Sequence, residues 1–194
     1  MTRLGETPSQ TAGPYFSMRL GGPGENVLAG PGTPGERIRI EGTVLDGDRN
    51  HIEDALIEIW QANAAGRYRH PDDRRDDLAL DDGFTGFGRA ASDFETGGFW
   101  FETVKPGLVP DREGEMQAPH ISVIVQARGM LNPSFTRIYF SDEPDANARD
   151  LVLAAVPERR RNTLVAHLVD GTTPKLYHID LKFQGDGETV FFEF

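Results

Sequence analysis

The sequence predicts a mostly β, all-β-type chain: a β-sandwich of mixed and antiparallel sheets with one or two short helices and long loops. Three observations carry that expectation. Apolar and polar residues alternate over short runs, turn-forming pairs such as Asp46-Gly47, Asn132-Pro133 and Asp170-Gly171 separate the runs, and only two stretches have helical character.

Taken in order, the segment from Gly21 to Gly35 is rich in Gly and Pro and reads as irregular chain crossing a surface. Alternation then begins. Ile38, Ile40 and Val44 share one face with Gly42 in step, and Ala55, Ile57 and Ile59 alternate with Leu56, Glu58 and Trp60. Further strands are expected over 98–104, 121–127 and 135–140, and the clearest over 177–184, where Tyr177, Ile179, Leu181 and Phe183 alternate with polar residues. A last strand is expected over 189–194. Residues 69–82 are rich in Asp and Arg and poor in apolar residues, which predicts a long loop. A helix over 145–151 is expected after Pro144, with a second short one over 157–162. Residues 1–35 are expected to form an N-terminal arm and irregular segment, and 36–194 the sandwich.

Composition removes several classes of function. The chain has 194 residues, 38% hydrophobic and 26% charged, ordinary for a globular protein with one core. No apolar run approaches the roughly 20 residues of a membrane helix, and no apolar stretch follows Arg3 as in a secretory signal. Cysteine is absent, which excludes disulfides, thiolate metal sites and cysteine nucleophiles, and suits a reducing, cytoplasmic setting. Twenty Lys and Arg against 31 Asp and Glu give a net charge of −11, a poor match for nucleic acid or an anionic membrane. The same charge repels small anions at long range, so an anion site here needs a specific local cation.

Gly30-Pro31-Gly32-Thr33-Pro34-Gly35 satisfies the letter of a dinucleotide-binding pattern, but two prolines interrupt it and no strand leads in. His51 and His178 read as exposed residues of a turn and of a strand's polar face. Trp60 and Trp100 read as core or interface residues, and Arg89 and Arg137 as members of structural ion pairs.

Two blocks point further. One is Trp60-Gln61-Ala62-Asn63-Ala64-Ala65-Gly66-Arg67-Tyr68; the other is Lys105-Pro106-Gly107, followed by Ala118-Pro119-His120-Ile121-Ser122. Together and in this order they resemble the intradiol ring-cleaving dioxygenases, non-haem iron(III) enzymes that open catechols between the two hydroxyls. The resemblance implies an iron held by two tyrosines and two histidines. Tyr68 and His120 stand at two of those positions; Val109 and Ser122 stand at the others, where Val109 has no donor atom. Tyr68 and His120 are therefore expected to be relics, with no metal held by this chain and no catalytic residue in it.

Some members of that family pair two homologous chains, alpha and beta, of which only beta binds iron. The termini here resemble the alpha type. The resemblance then implies a chain that shapes a pocket for protocatechuate (3,4-dihydroxybenzoate), while the beta subunit of an alpha–beta protomer, multiplied into a larger symmetric oligomer, holds Fe(III) and activates O₂. It assigns substrate contacts to Arg128, Tyr15, Pro14, Gly13 and Thr11. A planar guanidinium suits a carboxylate, and Gly13-Pro14 suits close backbone approach. Each has a plainer alternative: Arg128 as a local ion pair, the arm as a docking segment. For the whole chain the alternatives are a non-catalytic interaction module of the same fold and a self-sufficient dioxygenase with altered ligands.

Overall fold

Alternating burial, clearest over residues 37–45, assembles the core of this molecule. The structure, a computed structural model, describes residues 5–11, 13 and 15–193, apart from the side chains of Ser17 and Met18. Helix α1 (Tyr15–Leu20) precedes strands β1 (Arg37–Leu45), β2 (Leu56–Trp60), β3 (Phe87–Ala91) and β4 (Gly98–Val104). A two-strand ribbon of β5 (Val109–Pro110) and β6 (Met116–Gln117) leads to β7 (His120–Gln126) and β8 (Ser134–Phe140). Short helices α2 (Pro144–Asn147), α3 (Leu151–Ala155) and α4 (Glu158–Arg161) follow, and α4 runs into a 3₁₀ turn at Asn162–Leu164. Strands β9 (Val165–Val169), β10 (Lys175–His178) and β11 (Leu181–Lys182) complete the described elements.

The fold is mostly β with a mixed sheet, as the alternation predicts. One leaf has the order β4–β1–β10–β9 and the other β8–β7–β2–β3. Parallel pairing of Tyr139 with Val165 and Phe140 with Ala166 joins β8 to β9, so the two leaves form one sheet wrapped most of the way round the core. Ile38, Ile40 and Val44 of β1 and Phe99 and Phe101 of β4 share that core with Ile57, Ile59, Ile121, Val123 and Val125 of the opposite leaf. Each such side chain contributes about 1.5–3 kcal/mol by leaving water. Residues 25–28 close the open side: Glu25 O accepts from Arg89 N, Asn26 O from Glu102 N, and Leu28 N donates to Glu102 O. The edges of β3 and β4 are thereby covered rather than left as unpaired backbone.

Several expectations need correction. The run 177–184 is two strands, because Ile179 and Asp180 cross over Gly42: Ile179 N donates to Glu41 O, Asp180 Oδ1 accepts from Thr43 N, and a Cβ on Gly42 would overlap the Ile179 carbonyl. The expected final strand reduces to a bridge between Phe135 and Phe192, with Phe191 stacked on Phe183; Phe194 lies outside the described residues. The helix expected over 145–151 breaks at Asp150, which is extended and caps α3 by accepting from Leu153 N. Strands β3 and β9 and helix α1 lacked a clear period in the sequence. Residues 69–82 form no strand or helix, as expected.

Candidate functional site

The two sequence blocks are interlocked backbones. Gln61, 1% exposed, continues β2 and ties it to β4: its Nε2 donates to Val104 O and its Oε1 accepts from Thr103 Oγ1. Buried Asn63 organises the next turn, with Oδ1 accepting from Ala65 N and Arg67 N and its carbonyl accepting from Gly66 N and Gly107 N. Gly66 sits at φ +84°, where a Cβ would overlap Leu108 O; a Cβ on Gly107 would come within 2.6 Å of Ala64 O. The glycines are thus required where the two loops touch. Gln61 and Asn63 were not singled out from sequence, although their place in the block was the available signal.

That interlock presents Tyr68 to the outer face of β7. Its ring stacks on Trp60 with centroids 5.8 Å apart, and Asp73 Oδ2 accepts from its backbone N–H at 2.8 Å. Burial raises the Tyr68 phenol above its ordinary pKa, opposed by the charge of Arg137. His120 is buried beside Tyr139, ring centroids 5.9 Å apart. Its Nδ1 lies 2.8 Å from Ala118 O, so Nδ1 carries the proton and Nε2 keeps its lone pair. Burial, and then the charge of Arg137, push its pKa down to about 4. Ser122 lies two residues along the same face. Val109 is buried and pairs with Gln117 in the small ribbon.

A ferric ion is a hard cation that needs anionic oxygen and imidazole donors around it. Tyr68 and His120 can supply one of each. Val109 offers none, and Ser122 offers a neutral hydroxyl where the resemblance implies an imidazole. Among the described residues, no group of three His, Cys, Asp or Glu side chains converges. A cation already stands on this face: Arg137 is the cross-strand partner of Ser122 and donates to Gln117 Oε1 at 2.8 Å. The donor set does not fit iron.

Arg137 also departs from its expected role. Among the described residues it forms no ion pair with an acid, whereas Arg89 pairs with Glu58 at 2.6 Å as expected. Trp60 and Arg137 instead line an outer groove of about 300 Å³ with Phe87, Ser122, Ile124 and Phe135. Trp100 lies under the Arg39 guanidinium, 4.3 Å from its ring centroid. His51 and His178 are exposed, as expected.

The residues expected to contact substrate lie elsewhere. Arg128 follows β7 and its side chain is 61% exposed; its Nε is 3.1 Å from Oδ2 of buried Asp54. The pair is close without hydrogen-bond alignment, since Oδ2 has no donor among the described residues. A cleft of about 460 Å³ opens between Arg128 and the 51–54 segment. Thr11 Oγ1 accepts from Gly129 N at 2.8 Å, which fastens the arm beside Arg128. Gly13 is at φ +75° and Tyr15 opens α1 with 77% exposure, while α1 rests on β2 and β3. Pro14 lies outside the described residues.

Known proteins match both the fold and the blocks. A family model described as Dioxygenase matches residues 11–184. The chain is 43% identical to the protocatechuate 3,4-dioxygenase alpha chain of Pseudomonas putida, over 98% of each chain, and 44% identical to that of Burkholderia cepacia over the full length of both. It is 34% identical to the Burkholderia cepacia beta chain over 77% of this chain and 63% of that one. The solved dioxygenase domain of a carbohydrate-binding fusion protein from Streptomyces sp. SirexAA-E superposes with a TM-score of 0.62 at 25% identity, covering 92% of this chain and 98% of that one. The interlocked blocks, the wrapped mixed sheet and these full-length likenesses lead to one conclusion: the chain belongs to the intradiol ring-cleaving dioxygenase family, as a homologue of protocatechuate 3,4-dioxygenase alpha chains.

Proposed function

We propose that this chain is the supporting alpha subunit of an enzyme that cleaves protocatechuate with O₂ to 3-carboxy-cis,cis-muconate. A homologous beta subunit binds the Fe(III) that both reactants need, and this chain supplies pocket wall and charge. The observation that carries the reading is a full-length alpha-type likeness joined to a donor set broken at Val109 and Ser122. In this reading Arg128 holds the carboxylate opposite the reacting hydroxyls. It fits that role because only its Nε is engaged by an acid among the described residues, and Thr11 fastens the arm at its side. A guanidinium presents two parallel donors to a carboxylate, which fixes orientation as well as charge. Thr11, Gly13, Pro14 and Tyr15 form the rest of this chain's contribution, the arm reaching across to beta.

The test is to titrate the chain into its beta partner and follow O₂ uptake with protocatechuate and with catechol, which lacks the carboxylate. Uptake with protocatechuate that rises to a plateau at equal chain amounts is expected, with catechol far poorer. Activity of beta unchanged by added chain, or no preference for the carboxylate, would contradict the reading.

A further inference from the structure

The face that carries His120 and Ser122 also carries a fixed positive charge, Arg137. Arg137 stands on β8 directly across from Ser122, in a row that continues through Trp60 to Phe87. Its Nη1 donates to Gln117, the residue paired with Val109. The same nitrogen is 3.5 Å from the hydroxyl of Tyr139, whose ring lies beside that of His120. Tyr68 stacks on Trp60 at the row's centre. Arg137 thus stands opposite Ser122, one residue separates it from Val109 (Gln117) and from His120 (Tyr139), and Tyr68 follows through Ser122 and Trp60.

We infer that the Arg137 guanidinium replaces the metal's charge on this face, and that it bars a ferric ion independently of the missing donors at Val109 and Ser122. A guanidinium beside the ligand positions repels a second cation brought onto the same face. It donates in every direction and offers an incoming metal no lone pair. Buried Tyr139 and its partner Asp150, which also accepts from Ala118 N, hold the β7 end against β8 and keep His120 on the same face as Arg137. The inference rests on family membership and not on the substrate proposed above, and its test needs no beta chain.

The test restores the donors with and without the arginine in the full chain. Val109→Tyr/Ser122→His is expected to bind no more Fe(III) than the parent chain. Adding Arg137→Met, similar in length and uncharged, is expected to raise bound iron at least tenfold and to produce the visible phenolate-to-iron absorption. Adding Arg137→Lys instead, which keeps the charge, is expected to bind none. Each variant is first checked for a cooperative melting transition; Arg137→Gln replaces the methionine variant if that one fails to fold. Iron in the double variant with Arg137 intact would overturn the inference. So would a folded, uncharged variant that stays iron-free.

Discussion

At the scale of single residues, one charged side chain and one neutral one carry the testable consequences. Arg128 is exposed, half-tied to Asp54, and assigned to the substrate carboxylate. A charge-assisted hydrogen bond contributes about 1.5–3 kcal/mol, so Arg128→Ala in the assembled enzyme should raise KM for protocatechuate roughly 10- to 100-fold. Because the contact is far from the reacting oxygens, kcat should change little, and steady-state O₂ uptake separates the two. His120 is the neutral residue. Its folded pKa of about 4 lies below the ordinary value near 6.5, so between these values the unfolded chain takes up a proton that the folded chain refuses. Stability is intact above about pH 6.5 and falls as pH drops towards 4. The loss attributable to His120 should reach about 2 kcal/mol by pH 5. Urea unfolding of the parent and of His120→Asn at about pH 7 and pH 5 measures it: the variant should show the smaller loss. Equal losses would mean that His120 is not held neutral by its surroundings.

At the scale of elements, the loops matter as much as the strands. Gly66 and Gly107 let the block after β2 cross the block after β4, and that crossing sets where Tyr68 emerges. Gly66→Ala combines a positive φ with an overlap on Leu108 O, so it should cost about 3 kcal/mol in chemical denaturation. Gly114→Ala is the control, because no atom lies within 4 Å of its Cβ position although its φ is also positive. Strands β1 and β4 were legible in the sequence because burial alternates along most of each, whereas β8 was legible as an apolar run that ends in three consecutive buried residues, Ile138 to Phe140. β3, with the sequence Phe-Gly-Arg-Ala-Ala, was not: Gly88 is there to admit Leu28, a contact between residues far apart in sequence. The split of the 177–184 run had the same kind of cause, at Gly42. The sequence places Asp150 within a helix, whereas it caps one and also holds Ala118 and Tyr139. The missing metal donors could be read directly from Val109 and Ser122. The role of Arg137 could not, because only the β7–β8 register sets it opposite Ser122.

At the scale of the whole molecule, a net charge of −11 and a small anionic substrate are in tension. Asp142 is held ionised against its burial by Lys105, Tyr177 and Lys175, and Asp73 by Arg75, so these acids keep their charge. Arg128 can act as a local cation within an acidic chain, with salt screening the long-range repulsion. This chain is homologous to the Burkholderia cepacia beta chain, and the alpha-type chain is proposed to contribute its arm and Arg128 rather than a metal. The most direct measurement is iron content and protocatechuate-dependent O₂ uptake of the full chain alone, of beta alone and of the reconstituted complex. The account predicts an iron-free, inactive lone chain and a complex whose iron stays with beta and whose turnover needs both. A lone chain that carries stoichiometric iron and consumes O₂ would contradict it.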